Sequence, residues 1–271
     1  MSTRCNLHTH SSYCDGKSTL RENVQAAISQ GLEVLGFSGH SYTAFDTRYC
    51  MSREGTAAYR AEIRSLQTEY AGRLQIRLGI EQDYFAEEQN NRYDYTIGAV
   101  HYVAKDDRFW DVDESLDKSR ECVNQAFCGD FYAYSQAYYA LVADLPAKTG
   151  CQIVAHLDLL TKFNEGGRFF NENDPRYLDA AFSAIAALSR TGVAFEINTG
   201  AISRGYRSMP YPSPVLLKEI RRQGGRIILG SDSHCCDTLE FYFSEALELA
   251  RSCGFRSRLI WEEVGFKEIA L

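Results

Sequence analysis

The feature that most constrains this chain is a regular alternation of short apolar runs with longer segments of helical periodicity. About seven strand–helix pairs follow one another, and no linker, low-complexity tract or repeat of fixed residues separates them. Alternation of this kind produces a parallel sheet, which either closes into a barrel or stays open with helices on both faces. A chain of 271 residues can form such a structure as one α/β domain, so we expect residues 1–271 to be a single domain.

Turn and capping residues place the individual elements. Thr19 and Glu22 have the spacing of a capping box, and Gly31 marks the end of the helix that they begin. Strands are predicted at a run ending at residue 8 and at residues 33–38, 74–80, 95–100, 152–155, 193–197 and 226–229, with a further short piece at 259–261. The last long helix is predicted at residues 238–253.

Composition and charge exclude several classes of protein. The net charge of −7 argues against a surface that coats nucleic acid, and no apolar run is long enough to span a membrane. The first residues lack the apolar segment of a signal peptide, so a cytoplasmic location is expected. The nine cysteines include no C-x-x-C pair, which excludes a zinc ribbon. The adjacent Cys235 and Cys236 are noted only as sensitive to oxidation.

All six histidines lie at or just beyond the C-terminal end of a predicted strand. They are His8, His10, His40, His101, His156 and His234. In a barrel of parallel strands these ends meet at one face, which is the face that carries active sites. A single histidine in such a place is more often structural, but six of six indicate a shared site.

Three carboxylates follow the same pattern. Asp15 lies in a polar turn, Glu81 ends the third predicted strand, and Asp232 ends the seventh, two residues before a histidine. Imidazole nitrogens and carboxylate oxygens without thiolates favour Zn²⁺, Mn²⁺ or Fe²⁺. Nine candidate ligands are too many for one ion of four to six ligands, so the sequence predicts two to three divalent metal ions.

These motifs resemble the PHP (polymerase and histidinol phosphatase) family of metal-dependent phosphoesterases. The resemblance covers essentially the whole chain and rests on His8-Thr9-His10, Asp15-Gly16, His40, Gly79-Ile80-Glu81, Val100-His101, His156 and Gly230-Ser231-Asp232-Ser233-His234. It implies a distorted (β/α)7 TIM-like barrel with a cluster of up to three ions. One departure is Gly39, where many members carry an aspartate that is not usually a ligand.

The resemblance also implies how the ligands are shared. The first ion would be held by His8, His10, Glu81 and Asp232. The second would be held by Glu81, His101 and His156, so that Glu81 bridges the two ions. The third would be held by Asp15, His40 and His234. Glu81 and Asp232 would thus belong to the catalytic machinery.

The monofunctional histidinol-phosphatase branch of the family is the most similar. Total length, the run from Glu81 to Phe85, and the strings Val100-His101-Tyr102 and His156-Leu157-Asp158-Leu159 resemble it. The implied reaction is metal-dependent hydrolysis of L-histidinol phosphate in histidine biosynthesis. Two alternatives stay open: a PHP phosphoesterase acting on nucleotides or phosphodiesters, and a non-catalytic metal-binding or polymerase-associated module. Neither the native metal nor the oligomeric state follows from the sequence.

Cationic side chains are expected to bind the phosphate of a small phosphorylated substrate. Arg204, which follows the sixth strand, is the first candidate, Lys162 is the second, and Arg207 is the third. An acidic protein can still attract a phosphate dianion, because two or three bound ions bring more positive charge to the pocket than three carboxylates remove.

Overall fold

Short strands form the centre of the molecule in the computed structural model, which describes residues 4–87, 92–263 and 265–271. The strands are β1 (Cys5–Asn6), β2 (Val34–Phe37), β3 (Gln75–Asp83), β4 (Tyr95–Ala99), β5 (Tyr102–Lys105), β6 (Arg108–Asp111), β7 (Ile153–Val154), β8 (Ala194–Asn198), β9 (Arg226–Gly230), β10 (Ser257–Glu262) and β11 (Gly265–Ala270). The helices are α1 (Leu20–Gln30), α2 (Arg53–Glu69), α3 (Leu116–Ala126), α4 (Phe131–Thr149), α5 (Pro175–Ser189), α6 (Gly200–Ser203), α7 (Pro214–Arg222) and α8 (Phe243–Ser252).

Eight of the described strands pair in parallel, in the order β1-β2-β3-β4-β7-β8-β9-β10, and the seven from β1 to β9 form the barrel. The sheet curls so that its two ends meet: the chain just beyond β1 bridges the chain just beyond β9 at Thr9 and Ser233. There the amide of His10 donates to the carbonyl of Ser233 at 2.8 Å. The predicted (β/α)7 TIM-like barrel is confirmed, and its distortion lies at this closure, where two short loop segments complete the ring.

The interior of the barrel is filled around one buried tyrosine. Tyr95 on β4 donates its hydroxyl to the carbonyl of Leu7, and Phe37 presents a second carbonyl 3.2 Å away. The ring has room because Gly36 on β2 and Gly79 on β3 carry no side chain, and a Cβ at either position would collide with Tyr95. A buried phenol needs such hydrogen-bond partners, so these contacts fix how β1, β2 and β4 lie together.

The helices cover the outside of the barrel, and their boundaries follow local capping signals. Thr19 and Glu22 form the predicted capping box at α1, and Gly31 ends that helix with a left-handed φ of 78°. Asp130 caps α4 by accepting the amides of Tyr132 and Ala133, and so separates this helix from α3. The predicted helix 238–253 is wrong at its start: α8 begins at Phe243, because Tyr242 has a φ of 64° that a right-handed helix cannot contain.

Two antiparallel pairings were not predicted from the sequence. β5 and β6 form a separate hairpin, joined by Asp106 and Asp107, which both have positive φ as a two-residue hairpin turn requires. β11 pairs antiparallel with β10, which extends the main sheet beyond β9. The β5–β6 hairpin matters for function, because it leaves the sheet directly after His101.

Among the described helices, none combines the length and the apolar character needed to cross a membrane. All nine cysteines are free thiols. Five of them are buried, namely Cys5, Cys50, Cys122, Cys151 and Cys253. Burial raises the pKa of the Cys151 thiol to about 11, which keeps this side chain protonated and unreactive near neutral pH.

Candidate metal centre

The C-terminal ends of five barrel strands bring all six histidines together. His8 and His10 follow β1, His40 follows β2, His101 follows β4, His156 follows β7 and His234 follows β9. Ring centroids of neighbouring members lie between 4.1 and 6.2 Å apart. The fold therefore places the six histidines, as the sequence predicts, at one end of the barrel and close to one another.

Glu81 lies at the middle of this group, with its side chain 1% exposed. Its Oε2 atom faces three imidazoles, at 3.3 Å from His8 Nε2, 3.4 Å from His10 Nε2 and 3.0 Å from His40 Nδ1. Strand β3 continues two residues past Glu81, and the chain at His40 bridges it in parallel. The strand therefore fixes the backbone on both sides of this carboxylate.

The other oxygen of Glu81 faces a second set of imidazoles. Oε1 lies 3.0 Å from His156 Nε2 and 3.6 Å from His101 Nε2. On its far side, Nδ1 of His101 lies 3.4 Å from the carboxylate of Asp83, which also accepts the backbone amide of His101. One buried carboxylate thus separates two groups of nitrogen atoms, which is the arrangement that a bridging ligand needs.

The remaining two carboxylates extend the cluster toward solvent. Asp232 Oδ1 lies 3.1 Å from His10 Nε2, and Asp15 lies 3.1 Å from His234 Nε2 and 3.6 Å from His40 Nε2. Donor atoms close enough to share an ion form three overlapping groups. These are His10 with Asp15, His40 and His234; His8 with His10 and Asp232; and His40 with Glu81 and His101.

The donor set fits divalent cations, as its unpartnered buried atoms show. His8 Nε2, His10 Nε2 and Glu81 Oε2 are buried without any hydrogen-bond partner, although they face one another. A buried polar atom without a partner is costly, and a cation placed between these atoms would satisfy all of them. Burial, together with the neighbouring His234 and His40, lowers the pKa of His10 to about 3, so this ring is neutral and can offer a lone pair.

The carboxylates keep their charge in this buried place. Burial alone would raise the pKa of Glu81, but His40 and His8 oppose it and hold the pKa well below its ordinary value. At Asp232 burial acts in the same direction, and Arg204 and His8 hold the pKa well below the usual range. Both groups are therefore anionic near neutral pH, as metal-binding carboxylates must be.

Glu196 is a functional residue that the sequence analysis missed. It lies on β8, 1% exposed, and its Oε1 accepts a hydrogen bond from His8 Nδ1 at 2.6 Å. Its Oε2 accepts from the His156 amide at 3.1 Å and from Asn198 Nδ2 at 2.8 Å. The hydrogen bond from His8 Nδ1 to Glu196 fixes the tautomer of that ring, so that Nε2 is free to face the cluster. Carboxylates that accept from metal-binding histidines orient them in the same way.

A signal for Glu196 was present in the sequence. The run 193–197 is apolar apart from this one glutamate, and an ionised side chain within a buried strand must have partners. Gly230 on the next strand makes room for it, because a Cβ there would lie 1.8 Å from Glu196 Oε1. Its two histidine partners, His156 and His8, lie 40 and 188 positions away along the chain, so only the fold reveals them.

We expect Glu196→Gln to weaken the site without removing a ligand. The amide keeps the shape but accepts more weakly from His8, and partners of this kind are worth about 10- to 100-fold in metal affinity or activity. The measurement is metal affinity by competition with a chelator, with Glu248→Gln on the exposed face of α8 as the matched control. Unchanged affinity in Glu196→Gln would mean that Glu196 does not support the site.

The two leading candidate phosphate ligands lie beside the cluster, and each already has an internal partner. Arg204 donates to the carbonyl of Asp232 at 2.9 Å and to its Oδ2 at 3.0 Å, and its Nη1 lies 2.8 Å from His234 Nδ1. Lys162 Nζ lies 2.8 Å from both the carbonyl and the carboxylate of Asp113. Arg207 differs: it hydrogen-bonds to the Thr161 hydroxyl.

A cavity of about 360 Å³ opens next to the cluster, within the range of about 300–1,000 Å³ usual for small-molecule sites. Arg204, Lys162 and seven of the nine candidate ligands line it, whereas Arg207 is not among its lining residues. Another part of the wall comes from the segment between β2 and α2, from the β5–β6 hairpin and from the residues that follow it. It carries Asp46, Arg48, Tyr49, Tyr102, Asp111, Asp113 and Glu114.

Comparison with known proteins identifies the family. The model of the PHP domain matches residues 6–200, which is more than half of the chain. The chain belongs to the PHP domain family. The match ends before Asp232 and His234, which the closure of the barrel places beside the other PHP residues.

Relatives of this PHP chain carry consistent names. A Deinococcus radiodurans protein named probable histidinol-phosphatase is 32% identical, and the match covers 95% of this chain and 96% of the relative. A Bacillus subtilis histidinol-phosphatase is 26% identical, over 89% of this chain and 97% of the relative. Among solved structures, the histidinol phosphate phosphatase of Lactococcus lactis superposes with a TM-score of 0.71 at 22% identity, covering 98% of this chain and all of that one.

Proposed function

We propose that this chain hydrolyses L-histidinol phosphate to L-histidinol and phosphate with the help of two to three divalent metal ions. The observation that carries the proposal is Glu81, a buried carboxylate whose two oxygens face two different groups of imidazoles. The names of the relatives support the substrate. The Lactococcus lactis structure, described as a complex with zinc, L-histidinol and phosphate, supports both the metal and the substrate.

The proposed ligands are the nine residues that the sequence singles out. They are His8, His10, Asp15, His40, Glu81, His101, His156, Asp232 and His234. When bound, divalent ions lower the pKa of water and stabilise charge on phosphoryl oxygens. The chain itself supplies the arrangement: imidazoles and charged carboxylates held on strand ends, with Glu196 fixing the ring of His8 and Asp83 holding the backbone of His101.

Arg204 and Lys162 are the proposed phosphate ligands of the chain. Their positive charges line the same cavity as Asp232 and His234. Arg204 is held by Asp232, so its position is fixed before substrate binds, and its remaining donor capacity can serve a phosphate oxygen. Lys162 is held in a similar way by Asp113.

We also propose that residues 1–271 form one PHP-type phosphoesterase domain in the cytoplasm. Candidate ligands from both ends of the chain, such as His8 and Asp232, lie 3.7 Å apart, which supports a single domain. The free thiols are in keeping with a reducing compartment.

Replacement of Arg204 tests its proposed role. We expect Arg204→Ala to lower kcat/KM for a phosphomonoester about 10- to 150-fold, because a charge-assisted hydrogen bond is worth about 1.5–3 kcal/mol. Arg204→Lys should recover part of the loss, since it restores charge without the planar pair of donors. Hydrolysis of a phosphodiester, which carries one negative charge fewer, should suffer less.

The controls for Arg204 follow from its contacts. Metal content is measured on each variant, because Arg204 touches Asp232; we expect the ion count to stay unchanged. Arg251→Ala on α8 is the matched control, being an exposed arginine that pairs with Glu248 of its own helix. An equal loss of kcat/KM for the monoester and the diester would show that Arg204 does not distinguish the phosphate dianion.

Comparison of substrates tests the proposed function. Purified enzyme is assayed with L-histidinol phosphate, with nucleoside monophosphates and with a phosphodiester, after reconstitution with Zn²⁺ or Mn²⁺. We expect the highest kcat/KM for L-histidinol phosphate. A preference for nucleotides or for the diester would replace the proposed substrate, and absence of turnover with all three would indicate a non-catalytic metal-binding module.

A further inference from the structure

The part of the cavity wall that comes from the β5–β6 hairpin and from the segment before α2 is rich in carboxylates. Asp46 precedes α2, Asp111 ends β6, and Asp113 and Glu114 follow that strand. Three of the four have a cation of the chain beside them. Lys162 lies 2.8 Å from Asp113. Arg48 lies 2.6 Å from Asp46 and 2.8 Å from Glu114.

Asp111 is the exception. Among the described residues no lysine, arginine or histidine lies within ion-pair distance of its carboxylate. Its Oδ1 accepts the backbone amides of Asp113, at 2.8 Å, and of Glu114, so the loop holds the side chain in place. No hydrogen bond from the described residues reaches Oδ2. The carboxylate is thus positioned by the backbone and keeps one oxygen available in the cavity wall.

The surroundings of Asp111 favour the arrival of a positive charge. The side chain is half-buried, and burial, followed by the charges of Asp113 and Glu114, raises the pKa of Asp111 above its ordinary value. Such a rise means that the charged form is unfavourable until something compensates it. A ligand that brings an ammonium group would remove this penalty and gain a charge-assisted hydrogen bond.

We propose that Asp111 binds the positively charged amine of the leaving group, so that the cavity selects phosphomonoesters of amino alcohols. The phosphate would lie toward Arg204 and Lys162, and the amine toward the β5–β6 hairpin. This inference rests on the proposed function for the identity of the substrate. Nucleoside monophosphates have no cation at the end remote from the phosphate, so the same wall disfavours them.

The test pairs one substitution with one change in the substrate. Wild type and Asp111→Asn are assayed with L-histidinol phosphate and with its analogue lacking the amine, 3-(imidazol-4-yl)propyl phosphate. At pH 7.5 an imidazole of pKa about 6.5 is mostly neutral, so the amine is the charge that differs. We expect wild type to prefer the amine-bearing substrate about 10- to 100-fold, mainly through KM, and Asp111→Asn to lose that preference.

The choice of asparagine keeps the loop intact, because its Oδ1 can still accept the amides of Asp113 and Glu114. Hydrolysis of p-nitrophenyl phosphate by Asp111→Asn should therefore stay within about threefold of wild type. Asp117→Asn is the matched control, since that side chain is 95% exposed at the start of α3. Equal losses on both imidazole substrates, or an undiminished preference in Asp111→Asn, would overturn the proposal.

Failure of the proposed function gives a different result. If wild type ignores L-histidinol phosphate but hydrolyses p-nitrophenyl phosphate, the assigned substrate is wrong. The role of Asp111 is then decided with 2-aminoethyl phosphate and propyl phosphate, which are of similar size and differ in the ammonium group. A preference for the amine that disappears in Asp111→Asn supports the inference, and the lack of any preference in wild type refutes it.

Discussion

Glu81→Gln is expected to reduce phosphatase activity by about 1,000-fold or more. The amide preserves the shape of the side chain but removes the negative charge that faces five imidazoles, those of His8, His10, His40, His101 and His156. Charge stabilisation by metal ions is worth several kcal/mol, and about 4 kcal/mol corresponds to about 1,000-fold in rate. Metal content and kcat/KM are measured on the same preparation.

The comparison with a ligand at the edge of the cluster makes this prediction specific. His40 contacts Glu81 and Asp15, so we expect His40→Gln to lose less activity and fewer ions than Glu81→Gln. Glu248→Gln, on the exposed face of α8, controls for the loss of a charge in general. If Glu81→Gln retains near-normal turnover and its full metal content, the bridging role is wrong.

Removal of metal is expected to abolish activity and to destabilise the fold. Elemental analysis of the reconstituted protein should give two to three ions per chain. Ions that bind only the native state at 1,000 times their Kd contribute about 4 kcal/mol, so stripping with a chelator should lower the Tm by about 10 °C. Zn²⁺, Mn²⁺ or Fe²⁺ should restore both properties, whereas Ca²⁺ should not, because imidazole nitrogens suit the transition metals.

The pH dependence of metal binding has a defined sign. Protons compete with metal for the imidazole nitrogens, whose ordinary pKa is about 6.5, so ions should be lost as the pH falls well below that value. Protonation of Glu81 and Asp232 does not cause this loss of metal, because the pKa values of these two carboxylates are held low. A content of one ion or none after reconstitution would contradict the cluster, as would full activity in the chelated protein.

Much of this site could be predicted without the fold, for a simple geometric reason. Side chains two apart on an extended chain lie on the same side, and the C-terminal ends of parallel strands meet at one face. His8 and His10, or Asp232 and His234, therefore had to converge with Glu81 once the alternation of strands and helices was recognised. The start of α1 at Thr19 could also be predicted from the sequence, because a capping box involves only four consecutive positions.

Other features depended on partners that are distant along the chain. The β5–β6 hairpin is short and polar at its turn, so its pattern is weak, yet it places Asp111 in the wall of the cavity. Arg204 and Lys162 were expected to bind phosphate, and the fold also gives them carboxylate partners 28 and 49 positions away. Whether a charge is paired is decided by packing, which sequence spacing does not reveal.

The sequence by itself thus determined the type of barrel, the family and the chemical nature of the metal ligands, because these follow from periodicity and from residues close to strand ends. Only the tertiary structure decided which groups support and surround them. In the sequence Glu196 is only one glutamate in an apolar strand, whereas in the barrel its carboxylate lies 2.6 Å from His8. In the same way, the role of Gly230 becomes visible only in the structure, where its missing Cβ makes room for that carboxylate. The physical reason is that burying a charge is tolerable only beside its partners, and those partners come from strands far apart along the chain.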